Sequence, residues 1–310
     1  MAGQPEEVRA SINASGTSDL YPSISPADVW QLLALLHHDP HSVLGAHPVE
    51  GGVIVRAFRP EAEKIELLVR DDAPREMVKV HDAGFFELLV EGPTDTFPYQ
   101  FRVHYPEGNQ FTLRDPYAFL PTLGSFDEHL FGEGRHERLY DKLGAHVRRL
   151  GDVSGVSFAV WAPNAGGVSV VGNFNNWDGR LHAMRMLGGS GIWEIFIPDI
   201  GAGEIYKYEI HNPGAPRFLK ADPYALYSEI PPATSSIVFE PSYEFKDREW
   251  IEKRKRATTC ASRFLSTRYT SALGGTSWKK AIARSPIGRW GQLSPITLST
   301  WASHTSSFCL

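Results

Sequence analysis

Trp177 sits in a run of turn-forming residues, after Phe174, Asn175 and Asn176 and before Asp178 and Gly179. Such a context can present an indole to solvent. The apolar CH face of a sugar ring packs on such a surface, and the neighbouring amides of Asn175 and Asn176 can hydrogen-bond vicinal hydroxyls. Lys207 lies between Tyr206 and Tyr208. In a strand it faces away from both tyrosines, in reach of a sugar hydroxyl or ring oxygen. Together these four residues make a surface suited to a neutral, polyhydroxylated chain. Trp177 also admits a purely packed reading. Trp161, Trp193, Tyr206 and Tyr208 fall in regular strand patterns and are expected in the core or between sheets.

The elements that must position these residues are strands. From Val53 onward, short runs of aromatic and β-branched residues alternate with Gly, Pro, Asn and Asp, the pattern of an all-β sandwich. The layout occurs twice. AFRPEAEKIELLV (57–69) aligns with VWAPNAGGVSVVG (160–172), GFFELLV (84–90) with GIWEIFI (191–197), FPYQFRV (97–103) with IYKYEIH (205–211), and RDPYAF (114–119) with ADPYAL (221–226). The fold expected is two tandem immunoglobulin-like β-sandwiches with short helical connectors. The boundaries read as a disordered leader at 1–20, a first sandwich at 21–125, a connector at 126–150, a second sandwich at 151–245, a linker at 246–259 and a disordered tail at 260–310. Ser25, Pro26 and Asp28 start a helix carrying Val29, Trp30, Leu32, Leu33, Leu35 and Leu36, with a hydroxyl cap, a proline in the first turn and an acid at the positive end.

The first sandwich is an internal control. Where the second has GNFNNWDGR the first has VRDDAPRE, and Gln100 replaces Lys207. The same scaffold therefore lacks the sugar-facing set. Asp115 and Asp222 recur in matching DPYA turns, where a turn-forming or capping role is expected.

With 310 residues the chain has room for these two domains but not for a further barrel of about 250 residues. A formal charge of −5 without a basic block argues against nucleic acid, and no apolar run approaches a membrane span. The only cysteines are Cys260 and Cys309, so nothing earlier can rest on a disulfide, and a cytoplasmic location is the expectation. His37, His38, His41 and His47 cluster in sequence without ligand geometry, so no metal and no cofactor are expected. There is no G-x-S-x-G elbow, and nothing before residue 260 is expected to supply a catalytic site.

Residues 158–226 resemble the starch- and glycogen-binding module at the front of α-glucan branching and debranching enzymes of the α-amylase superfamily. Residues 30–259 resemble the amino-terminal portion of a bacterial 1,4-α-glucan branching enzyme, including the HHDPHSVLGAHP opening (37–48) and FLPTLGSFDEHLFGEGRHERLYDKLGAH (119–146). The resemblance implies an α-glucan partner (glycogen or a starch-like chain), contacts from the Trp177, Asn175, Asn176 and Lys207 positions, and a barrel elsewhere in the family's chain that carries out a retaining transfer to a 6-hydroxyl. The second aromatic platform of binding relatives has Phe218 as its only candidate here. Read one base out of frame, residues 266–275, 276–288 and 300–310 can encode segments that continue the family sequence. The tail therefore reads as frame-shifted and the catalytic (β/α)8 barrel as absent, leaving a polypeptide without activity of its own. Two alternatives stand beside this reading: a freestanding α-glucan-binding protein and an immunoglobulin-like interaction scaffold without glucan affinity.

Overall fold

The computed structural model describes residues 23–70 and 72–256. The leader at 1–20 and the tail at 260–310 lie outside the described residues. Helix α1 (Pro26–Leu33) opens as the sequence dictates, with the Ser25 hydroxyl accepting from the Asp28 amide at 3.1 Å. It ends at Leu33, short of the Leu35 and Leu36 that the apolar pattern assigns to it. Leu35 takes a left-handed backbone (φ 55°), and its carbonyl lies against Gly167, where no side chain would fit.

Eight strands follow: β1 (Gly45–Val49), β2 (Gly52–Phe58), β3 (Lys64–Leu68), β4 (Arg75–Glu76), β5 (Val78–His81), β6 (Phe85–Glu91), β7 (Gln100–His104) and β8 (Gln110–Leu113). They form two antiparallel sheets, ordered β1-β2-β6-β5 and β4-β3-β7-β8. Alternation along the strands sends Val53, Val55 and Phe86 from one sheet to meet Ile65, Leu67 and Phe101 from the other.

The second sandwich is built from β9 (Gly144–Leu150), β10 (Val153–Trp161), β11 (Gly167–Gly172), β12 (Arg185–Met186), β13 (Ile192–Pro198), β14 (Ile205–His211), β15 (Phe218–Lys220), β16 (Tyr227–Ser228) and β17 (Ser236–Ile237). Its sheets run β12-β13-β10-β9 and β11-β14-β17-β16, with β15 on β14. Residues 144–150, read as part of a connector, are thus an edge strand paired along its length with β10. The rest of that connector holds helix α2 (Ser125–Gly132) and a short 3-10 turn (Leu139–Asp141).

A longer repeat explains this boundary. Leu-Gly-Ala-His occurs at 44–47 and again at 143–146, and in each copy an eight-residue helix begins 18 positions earlier, at Pro26 and at Ser125. In each, the histidine Nε2 lies 2.9 Å from the leucine carbonyl three residues back. The glycines, Gly45 and Gly144, have φ near +100°, and an added Cβ would meet the carbonyl of Tyr117 at 2.7 Å or Tyr224 at 3.0 Å. Each unit is therefore helix, turn and sandwich together.

Both sandwiches lie in one compact unit that ends at Ser242. One apolar cluster joins Val156, Phe158 and Tyr208 of the second sandwich to Val29 and Leu32 of α1 and to Phe58 and Phe85 on the outer face of the first. The backbone carbonyl of His38 also accepts from the Met186 amide at 2.7 Å. The remaining described residues form a separate unit with helix α3 (Arg248–Arg256), where the Arg254 guanidinium lies over the Trp250 ring. No helix among the described residues is long and apolar enough to cross a membrane.

Candidate carbohydrate-binding site

The matching DPYA turns lock each sandwich in the same way. Asp115 accepts the Tyr99 hydroxyl at 2.7 Å and the Tyr117 amide at 3.0 Å. Asp222 accepts the hydroxyls of Tyr206 at 2.7 Å and Tyr208 at 3.2 Å, and the Tyr224 amide at 2.7 Å. The capping role expected for both is what the geometry shows. Burial raises the pKa of each carboxyl, and the tyrosine hydroxyls hold it back.

On this frame, residues 173–182 leave β11 and return beside it, with the Val170 amide donating to the His182 carbonyl and Ser169 bridging Ala183. Asn175 fixes the loop. Its Oδ1 accepts from the Gly172 amide at 2.9 Å, and its Nδ2 donates to the Val170 carbonyl at 2.8 Å and to His182 Nδ1 at 2.9 Å. The expectation that Asn175 offers its amide to a ligand is therefore corrected: the side chain is buried and its hydrogen bonds are spent on the loop. Burial, reinforced by the positive charge of Arg59, pushes the His182 pKa down to about 3. The ring is neutral, with Nδ1 free to accept.

Trp177 is 37% exposed. Its amide donates to the Gly172 carbonyl and its indole Nε1 to Asn173 Oδ1, both at 3.0 Å. Asn173, which sequence reasoning did not single out, thus orients the ring; an asparagine four residues before an exposed indole was the available signal. Asn176 and Trp177 are successive left-handed residues, with φ 52° and 61°. Neither is glycine, so the backbone carries strain to hold the ring where it is. Asn176 is exposed beside it. Asp178 caps the next turn and binds Arg180 through both oxygens. Burial alone would raise its pKa, but the Arg180 guanidinium outweighs that and holds it low.

Lys207 pairs in register with Val171 and so takes the sheet face opposite Tyr206 and Tyr208, which are buried. The Trp177 loop folds over that same face: a Cβ at Gly179 would stand 3.2 Å from the side chains of Ser169 and Glu209. The Lys207 ammonium donates to Thr234 Oγ1 at 2.8 Å. Phe218 pairs with Ile210 and takes the other face, with the Lys220 ammonium over its ring, so it does not extend the surface on which Lys207 stands.

Trp193 is buried in the core as expected. Trp161 is not: it is 53% exposed, edge-on to Phe131 of α2, because it ends its strand on the outer face of the sheet. The four histidines at 37, 38, 41 and 47 go to separate neighbours, and no group of three or more His, Cys, Asp or Glu among the described residues could hold a metal. His41 sits edge-on to Tyr117, and burial pushes its pKa down to about 2.

The described residues thus hold two immunoglobulin-like sandwiches, one with an aromatic-amide loop beside a lysine-bearing sheet face and one without. Comparison with known proteins places both. Residues 25–117 match the family model described as alpha-1,4-glucan branching enzyme GlgB, N-terminal domain, and residues 142–225 match carbohydrate-binding module 48 (isoamylase N-terminal domain). Over these residues the chain belongs to the amino-terminal region of the GlgB branching-enzyme family. It is 50% identical over 230 residues to 1,4-alpha-glucan branching enzyme GlgB of Myxococcus xanthus, covering 74% of this chain and 31% of the relative. It is 48% identical over 263 residues to GlgB 1 of Streptomyces coelicolor (82% and 33%) and 45% identical over 264 residues to GlgB of Corynebacterium efficiens (84% and 35%). The chain spans about a third of the length of these relatives.

Proposed function

We propose that this chain is the substrate-holding, amino-terminal region of a 1,4-α-glucan branching enzyme, and that its second sandwich binds α-glucan of the glycogen or starch type. The observation that carries the reading is Trp177, an indole held half out of the protein on strained backbone and clamped by Asn173. A packing role needs neither the strain nor the exposure. Asn176 beside the ring and Lys207 on the shared face supply hydrogen bonds to hydroxyls, and Asn175 acts as the positioning residue beneath them.

The bond exchange itself, cleavage of an α-1,4 link and transfer to a 6-hydroxyl, is assigned to a barrel in the family and not to residues 23–256. The buried carboxylates among the described residues are committed to structure: Glu87 to Arg56 and Ser23, Glu194 to Arg185 and Thr122, Glu209 to His211 and Arg217, and Asp115 and Asp222 to tyrosines. We further propose a cytoplasmic protein, since both cysteines fall after residue 259, and a frame-shifted origin for residues 260–310. Resequencing of the gene tests the latter; an in-frame reading confirmed through Leu310 removes it.

Co-sedimentation with glycogen tests the binding function. Wild type should pellet with glycogen, and Trp177→Ala should weaken binding by roughly tenfold while Trp161→Ala leaves it unchanged. Equal binding by wild type and Trp177→Ala refutes the assignment. An iodine–glucan branching assay on the purified chain should show no turnover, and turnover would refute the assignment of chemistry to a barrel.

A further inference from the structure

The loop that carries Trp177 has a second neighbour. Phe174, Asn176 and Asp178 line a cleft of about 790 Å³ whose other side comes from the first sandwich, through Arg59, Tyr105 and Phe111. That volume lies within the range of small-ligand sites. Nothing in the linear pattern of either sandwich pointed to it, because each contributes only half.

Arg59 is the informative residue. It is only 7% exposed, it lines the cleft, and among the described residues its guanidinium has no hydrogen-bond, ion-pair or ring partner. A guanidinium carries five N–H donors in a rigid plane. With no protein acceptor, those donors face the cleft and are open to an acceptor that enters it. The other charged groups decide which acceptor. Glu61, Asp178 and Asp199 line the cleft against Arg59 and Arg114. Arg114 is already paired with Asp199, and Asp178 with Arg180 at 2.7 Å. An anion entering here would face three carboxylates, whereas a neutral ligand rich in hydroxyl oxygens would not. The apolar contribution is aromatic: Phe111 is 56% exposed, with its ring centroid 6.1 Å from that of Tyr105, and Phe174 lies on the opposing side. Aromatic faces with a planar, multi-donor cation match the CH face and vicinal hydroxyls of a sugar.

We propose that the cleft between the two sandwiches is a second subsite for neutral α-glucan, with Arg59 donating to vicinal hydroxyls and Phe111 and Tyr105 meeting the ring faces. The proposal rests on the glucan-binding reading of the Trp177 loop, which forms one of its walls. It gives the first sandwich, which lacks the surface set of the second, a direct share in the ligand.

The test is calorimetric titration of the full chain with maltoheptaose, alongside thermal denaturation. Phe111→Ala removes an exposed ring and leaves the fold intact. It should weaken binding about fivefold to tenfold. Arg59→Met should weaken binding by a similar factor with little change in melting temperature, since it breaks no hydrogen bond or ion pair and its charge, while favouring the Asp115 carboxylate, also opposes protonation of His182. Phe111→Ala within twofold of wild type, while Trp177→Ala binds weakly, refutes the cleft and spares the Trp177 assignment. Loss of binding in Phe111→Ala with none in Trp177→Ala supports the cleft and refutes the Trp177 assignment. No binding by wild type refutes both. Binding of inorganic phosphate that Arg59→Met abolishes, with maltoheptaose affinity unchanged, refutes the sugar assignment. A lowered melting temperature in Arg59→Met makes that residue structural and also counts against it.

Discussion

The two sandwiches share a frame and differ in one connection. After β3 the first spends six residues (69–74) before β4, which folds straight back on β3. After β11 the second spends ten (173–182) before pairing back at Ala183. Those extra residues carry Asn175 as an internal tie, His182 as its acceptor and Trp177 as the exposed ring. The proposed binding surface is thus an addition to a scaffold whose locking turns, close-packed glycines and buried glutamates are common to both copies. Even the shared glutamates show divergence: Glu87 takes its cation from β2 and Glu194 from β12.

The comparison is broken most easily at equivalent outer-face positions. Phe58 and Trp161 both end their strands and pair with the first residue of the neighbouring strand, β6 or β13, yet Phe58 is buried against Phe85 and Trp161 is half exposed. In urea unfolding Phe58→Ala should cost about 4 kcal/mol, as a buried aromatic does, and Trp161→Ala about 1 kcal/mol. Equal costs would mean that α1 does not close the first sandwich. Next come the aspartates. Asp222→Ala strands two tyrosine hydroxyls and an amide, and should cost about 3 kcal/mol; Asp115→Ala strands one of each and should cost about 2 kcal/mol. The reverse order would contradict the denser network of the second copy.

A pH series sharpens the contrast further, since the shorter loop of the first sandwich has no histidine. The folded pKa of His182, about 3, lies below its unfolded value of 6.5, so the unfolded chain takes up the proton first as pH falls. Its stabilising contribution is complete above pH 6.5 and is lost between 6.5 and 3. The stability difference between wild type and His182→Phe should shrink by about 2 kcal/mol from pH 8 to pH 5. A constant difference would place the proton elsewhere. The smallest effect belongs to Trp177→Ala, which should change stability by less than about 1 kcal/mol because the ring is partly exposed and its backbone bonds survive. A larger loss would make the indole a packing residue.

Much of the fold was legible because strand alternation and turn residues are local signals. The duplicated strands, the Ser25 cap and the DPYA turns all follow from neighbours in sequence. The connector boundary was misread because its helix and Leu-Gly-Ala-His motif belong to a repeat longer than the strand pattern alone reveals. Within the candidate site, residue type singled out Trp177, Asn175, Asn176 and Lys207, yet it could not tell that the Asn175 amide is spent inside the loop while Asn176 is exposed.

What the sequence determined by itself was which residues alternate, where the chain turns and which copy carries the aromatic-amide loop. Tertiary structure alone decided that Trp161 faces solvent while Phe58 does not, that Asn175 is sealed beneath the loop, and that Arg59 meets Phe174 and Asn176 across a cleft. The reason is range: periodicity assigns a side chain to a face, but whether that face meets water, a helix or another domain depends on segments far away in the chain.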